Sequence, residues 1–229
     1  MTRFFDILFS LLAIIILAPV LLPVIIILRV TGEGEIFYFQ NRVGRHGIDF
    51  KLLKFATMLK NSPSIGTGNI TIKHDPRVLP FGRILRKSKI NELPQLFNIL
   101  LGQMSFVGPR PLTRDNFDYY PSHVKAAIGE MRPGLTGIGS IFFRDEESIL
   151  DGLDNPRSFY RLHITPYKAD LEIWYRENKN IFLYFKIIFV TALVVVRTQI
   201  SLHTWFPAIP MPGQELSNRL VKIDDCANP

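Results

Sequence analysis

The stretch "ILFSLLAIIILAPVLLPVIIIL", residues 7–28, holds 22 consecutive residues without a charge. A helix of that length covers a hydrocarbon layer about 30 Å thick. Pro19 and Pro23 stand in its middle, where each removes a backbone donor and crowds the carbonyl four residues earlier. The pair predicts a bend or break, and a broken helix can enter one leaflet and return to the same side once its freed backbone groups find partners. Arg3 precedes the run and Arg29 follows it, so the positive-inside bias gives no reason to place the two ends on opposite sides. A cleaved leader fits poorly, because the run is too long and no small-x-small site precedes "FYFQNR". Residues 1–31 are therefore read as a retained membrane anchor.

The remaining chain is long enough for one ordinary domain. A net charge of +7 points to an anionic partner, whether nucleic acid, anionic lipid or a phosphate-bearing substrate. No common nucleic-acid module is present, and the basic residues gather beside a helix start and a proline turn instead of along a groove-reading helix. The single cysteine, Cys226, excludes a disulfide framework and a cysteine metal cluster. His74, His163 and His203 are scattered without zinc-ligand spacing.

Beyond the anchor, "GEGEIFYFQNRVGRHGIDFKLLKF" alternates aromatic and polar residues around Gly44 and Gly47, which predicts a hairpin or short strands. "VLPFGRILRKSK" places Arg83, Arg86 and Lys87 at helical spacing on one side. In "NELPQLFNILLG" the residue types fit a helix with Asn91 as N-cap, Glu92 and Pro94 in the first turn, and Gly102 as terminator. A helix start beside a basic face is a place where phosphate can settle. In "GPRP", Pro109 and Pro111 restrict the backbone around Arg110, so its planar fork has a fixed direction. Trp174, Tyr175 and Tyr184 suit either a membrane interface or a core. The apolar run 181–196 is interrupted by Lys186 and is read as a buried or surface-lying helix, not a span.

The run "GRILRKSKINELPQLFNILLGQMSFVGPRPL", with "DPR" before it, "RPGLTG" after it and the proline-broken apolar start, resembles the bacterial sugar transferase family, the monotopic phosphoglycosyl transferases. The resemblance covers roughly residues 1–200. It implies a mostly α-helical protein with a small β element, organised as a re-entrant membrane helix over 1–31, a catalytic domain over 32–200 with interfacial amphipathic helices, and an irregular tail over 201–229. It also implies transfer of a sugar phosphate from a nucleotide diphosphate sugar to polyprenol phosphate, at the cytoplasmic face of the bacterial inner membrane. Membrane lipids and glycan-assembly proteins are the further partners expected, and nucleic acid is not.

Carried over by residue, the resemblance makes Glu92 the magnesium-holding carboxylate, Arg86, Arg110 and Arg144 the phosphate-binding arginines, and Pro19 the break in the membrane helix. Such a set suits phosphoryl transfer, which depends on positioning and on cationic stabilisation of spread negative charge. The chain departs from the family where the nucleophilic aspartate should stand: position 91 is Asn91, and an amide does not attack phosphorus as a carboxylate does. Ala56 and Gln103 also differ from the family pattern. Three readings follow. Another carboxylate serves, either Glu92 itself or one of Asp145, Glu146 and Glu147; the acceptor phosphate attacks directly; or the chain is a weak or inactive relative that scaffolds glycan assembly.

Overall fold

A computed structural model describes residues 2–64, 75–144, 146–196 and 202–227. Among these residues the fold is mostly helical with two small two-stranded sheets, and the chain divides into two units, Met1–Arg42 with Asp49–Ser105 and Val43–Ile48 with Phe106–Pro229.

In the first unit, helix α1 (Thr2–Val30) is long and apolar enough to cross a membrane, with a mean hydropathy of 3.3 over its best window. The helix runs without interruption through Pro19 and Pro23, so the break expected at Pro19 does not appear in it. Much of its surface is exposed apolar side chain, including Ile15, Ile16, Leu22 and Ile26, which needs an apolar surrounding rather than water. The exceptions lie at its two ends. Near the start, Arg3 donates to the carbonyls of Ile99 (2.5 Å) and Leu100 (2.8 Å), and buried Asp6 accepts from Ser105 Oγ at 2.9 Å. Near the finish, Leu21, Val24 and Leu28 pack on Phe55 and Leu85. Burying each such side chain is worth about 1.5–3 kcal/mol.

The expected hairpin forms from β1 (Phe37–Val43) and β2 (Asp49–Phe55). Helix α2 (Pro80–Lys87) turns Leu85 inward and leaves Arg83 and Lys87 exposed. Helix α3 (Gln95–Leu100) follows and stops at Gly102, whose φ of 84° reverses the chain. Asn98 of α3 ties it to β2: its Oδ1 accepts from Leu53 N–H (3.0 Å) and its Nδ2 donates to the Lys51 carbonyl (2.8 Å) and to Gln103 Oε1 (2.7 Å).

The second unit pairs β3 (Ser105–Val107) with β4 (Gly134–Thr136). Around this pair run α4 (Arg114–Asp118), α5 (Ser122–Gly129), α6 (Ile138–Phe142), α7 (Glu146–Leu150) and α8 (Pro156–Phe159), the last passing through a wider turn at 160–164 into α9 (Thr165–Asn178). Val43, Leu112, Phe117, Tyr120, Val124 and Ala169 form one core cluster. Helix α10 (Ile181–Val196) buries Leu183, Tyr184, Ile187, Val190 and Val194 on one stripe and exposes Phe182 and Phe189 on another. Tyr175 and Tyr184 are core residues, and Lys186 lies 5.2 Å from the Phe206 ring.

The expectation of an irregular tail is corrected. The residues after 201 carry α11 (Leu202–Trp205) and a 14-residue helix, α12 (Gln214–Ala227). Pro207, Pro210 and Pro212 all precede Gln214, and the sequence from there to Ala227 contains neither proline nor glycine, so nothing in it breaks a helix.

Candidate active site

The acidic member of the expected site sits in the first unit. Lys89 takes a left-handed conformation (φ 60°), and the chain then forms a single 3₁₀ turn, Ile90–Glu92, before α3. Asn91 is not the N-cap of α3; that position is Pro94, which supplies no capping side chain. The reason is specific. An N-cap oxygen accepts from the second or third helical amide. For Asn91 these would be Leu93, whose N–H is taken by the Ile90 carbonyl at 3.1 Å, and Pro94, which has no N–H. Asn91 is 8% exposed, and among the described residues nothing donates to its Oδ1.

Glu92 projects from the same turn. Its Oε1 lies 3.6 Å from Lys54 Nζ at the end of β2, with both side chains largely buried. Lys54 was not singled out by sequence reading. The alternation of β2 was the available signal, since it sends residues 52 and 54 to one face. Arg86, on the last turn of α2, directs Nη1 to Met58 Sδ at 3.6 Å. The "DPR" motif resolves into a buried pair: Arg77 Nε and Nη2 donate to Asp75 at 2.9 and 2.6 Å, and Nη1 donates to the Ser62 carbonyl at 2.9 Å. That bidentate bond raises the Arg77 pKa and fixes the strand-like segment entering α2.

Arg110 belongs to the second unit. The turn that carries it is pinned on both sides, by Gly108 N–H to the Thr136 carbonyl (3.0 Å), Gly134 N–H to the Pro109 carbonyl (2.8 Å) and Val43 N–H to the Leu112 carbonyl (2.9 Å). The backbones approach so closely that a Cβ on Gly134 would fall 2.2 Å from the Gly108 nitrogen, so only glycine fits. Arg110 also lines a small pocket with Val43, Leu112, Phe117, Met131 and Pro133.

Arg144 lies in the second unit as well, where its guanidinium donates to the Val194 carbonyl of α10. Glu146 accepts from Lys168 Nζ at 2.5 Å, and Lys168 also faces the rings of Phe143 and Tyr160 at 4.8 Å. Asp145 and His74 lie outside the described residues. Behind the Arg110 turn stands a residue that sequence reading passed over, Glu172 of α9, fully buried. Burial pushes its carboxyl up to about 7, against the opposing pull of a hydrogen bond from the Arg110 backbone N–H and of the Lys168 ammonium.

Among the described residues no three histidine, cysteine or acidic side chains converge as a metal site. The 90–92 turn still carries a carboxylate, Glu92, and an unpartnered amide oxygen, Asn91 Oδ1, on successive residues. Magnesium accepts that kind of sparse oxygen set, since it retains waters and shares phosphate ligands.

Comparison with known proteins bears on the family of the chain. The chain is 38% identical over 160 residues to the exopolysaccharide production protein ExoY of Sinorhizobium fredii, covering 64% of this chain and 70% of the relative. It is 34% identical over 194 residues to the uncharacterized sugar transferase EpsL of Bacillus subtilis, covering 85% and 86%. It is 33% identical over 210 residues to the undecaprenyl-phosphate galactose phosphotransferase of Salmonella typhimurium, covering 85% of this chain and 40% of that longer protein. The bacterial sugar transferase family model matches residues 1–198, which takes in the anchor, the Glu92 turn and the Arg110 turn together, and the chain belongs to that family.

Proposed function

We propose that this protein transfers a sugar 1-phosphate from a nucleotide diphosphate sugar to polyprenol phosphate, and so initiates assembly of a cell-surface glycan. The observation that carries the reading is the Glu92 turn, a mostly buried carboxylate held by Lys54 beside an unpartnered amide oxygen, within a chain matched to sugar transferases over 198 residues. The Salmonella relative is named for the same reaction type on undecaprenyl phosphate.

In the first unit Arg86 is the cationic fork offered to phosphate; in the second, Arg110 is the fork offered to the donor pyrophosphate, and Arg144 is the further phosphate-binding arginine that the family resemblance implies. Glu92 would hold magnesium, with Asn91 Oδ1 as a neutral second oxygen, and the ion would supply neutralisation of phosphate charge there. With an amide at position 91, a phosphate oxygen of the lipid acceptor attacks the sugar-bearing phosphorus directly. The bond between the two donor phosphorus centres' bridging oxygen and that phosphorus breaks, and the nucleoside monophosphate departs with its electron pair.

The anchor is re-entrant in this proposal. Arg3 and Asp6 at its start and Leu21 to Leu28 near its end all contact the same unit, which suits a helix whose two ends lie on one side of the bilayer. The exposed aromatic stripe of α10 rests at the lipid boundary, and the catalytic residues face the cytoplasm of the inner membrane, where nucleotide sugars are made. The test is incubation of detergent-extracted protein with undecaprenyl phosphate, magnesium and a panel of nucleotide sugars. Release of nucleoside monophosphate with formation of a lipid-linked sugar supports the function, and no release with any donor counts against it.

A further inference from the structure

The backbone of "GPRP" has an unusual deficit. Neither Pro109 nor Pro111 has an N–H, so Arg110 provides the sole amide donor of the three residues 109–111. The turn's carbonyl side is held through Pro109 O, and its flanks through Gly108 and Leu112. Its amide side depends on whatever accepts from Arg110. That acceptor is the carboxylate of Glu172, brought up from α9 in the same unit.

Glu172 is an expensive group to place there. A buried carboxylate without a matched partner is unfavourable, and an apolar residue would fill the same space at lower cost. Among the described residues nothing donates to its Oε2. Lys168, one turn earlier on α9, contributes charge, yet its ammonium is bonded to Glu146 Oε2 at 2.5 Å. The fold also makes room for the group: a Cβ on Gly139 of α6 would come within 2.8 Å of Glu172 Oε1. A helix glycine and a half-satisfied acid are thus both spent on one contact with the Arg110 backbone.

We propose that Glu172 is a positioning residue for the transfer reaction, fixing the direction of the Arg110 fork by accepting the one amide hydrogen bond that the proline-flanked turn can donate. The inference rests on the proposed role of Arg110 toward the donor pyrophosphate. A residue acting through Arg110 in this way affects donor binding, and its absence removes the acceptor of the one amide that residues 109–111 possess.

The test compares the detergent-solubilised full-length chain with its Glu172→Leu, Glu172→Asp and Glu172→Gln variants by hydrogen–deuterium exchange and by kinetics. In any peptide spanning 109–111, the only internal exchangeable amide within those residues is that of Arg110. Loss of the acceptor in Glu172→Leu, or its withdrawal by one methylene in Glu172→Asp, is expected to speed exchange there by on the order of tenfold. Glu172→Gln keeps an acceptor oxygen and is expected to restore slow exchange. In parallel, KM for the nucleotide sugar should rise by roughly tenfold in the first two variants and much less in the third. Should Glu172→Leu fail to fold, Glu172→Asp carries the comparison. Unchanged exchange at Arg110 in a folded Leu or Asp variant overturns the inference, as does unchanged KM in an active one. If the wild-type chain itself transfers nothing, the proposed function falls, while the exchange measurement still decides whether Glu172 holds Arg110.

Discussion

Lys54 Nζ stands 3.6 Å from Glu92 Oε1, with the side chains 18% and 22% exposed. The separation is longer than a hydrogen bond, so the pair is held by charge rather than by a shared proton. Glu92→Gln keeps shape and removes charge. It is expected to lower kcat by about 10²–10³-fold or more, the scale seen when a positioned electrostatic group is removed. Lys54→Met should weaken turnover less while leaving the fold intact, as measured by nucleoside monophosphate release and thermal melting. Full activity in Glu92→Gln would take Glu92 out of the site.

Asn91 leads to an opposite experiment, since the family residue can be restored. Asn91→Asp is expected to preserve or raise activity. It should also lower melting temperature, because a second buried carboxylate beside Glu92 adds like-charge repulsion without gaining a donor. Mass spectrometry of the wild-type chain trapped with donor should show no sugar-phosphate adduct on residue 91. An adduct on Glu92 or within 145–147 would replace direct attack by a covalent route. Complete loss of activity in Asn91→Asp would mean that the amide has its own task.

Some of this was legible from residue order and some was not. The long apolar helix, the hairpin and the stop at Gly102 are local matters of hydropathy, alternation and glycine conformation, and they appear where the sequence predicts them, whereas the break expected at Pro19 does not. The capping role of Asn91 fails because Pro94 lacks the amide it would need, a conflict visible in the sequence once the third helical position is checked. The orientation of Arg110 was half legible: the two prolines announce a restrained turn, but its acceptor comes from α9, and no spacing rule links residues 110 and 172. Glu172 in "ADLEIWYREN", among Asp170, Arg176 and Glu177, reads as one more helix surface charge. Only the tertiary packing turns it inward.

Glu172 also makes stability depend on pH. Its carboxyl is raised from an ordinary 4.5 to about 7, with burial as the main cause. The Arg110 amide and Lys168 on the same helix favour its charge, while Tyr120, just beyond α4, is raised first by burial and then by nearby charges that include Glu172. A raised acid stabilises the fold fully below the unfolded pKa and loses that contribution as pH climbs through the folded one. The window therefore runs from about pH 4.5 to about pH 7, and the loss is roughly 3 kcal/mol by linkage. Melting temperature should fall across that window in the wild type, and Glu172→Gln should flatten the fall. Equal slopes for the two proteins would assign the pH effect to other groups.

The disposition of α1 gives the last prediction. As a straight helix of 29 residues it would be about 43 Å long, enough to carry one end across the bilayer. Its first turns nevertheless meet residues 99–105 and its last turns meet Phe55 and Leu85, all within one unit. In a Cys226→Ser background, single cysteines introduced by Thr2→Cys and by Thr31→Cys flank the apolar run. A membrane-impermeant maleimide should label both in inverted membrane vesicles and neither in intact spheroplasts. Labelling of one from each side would establish a spanning helix, and would require that the contacts of Arg3 and Asp6 be absent in the membrane.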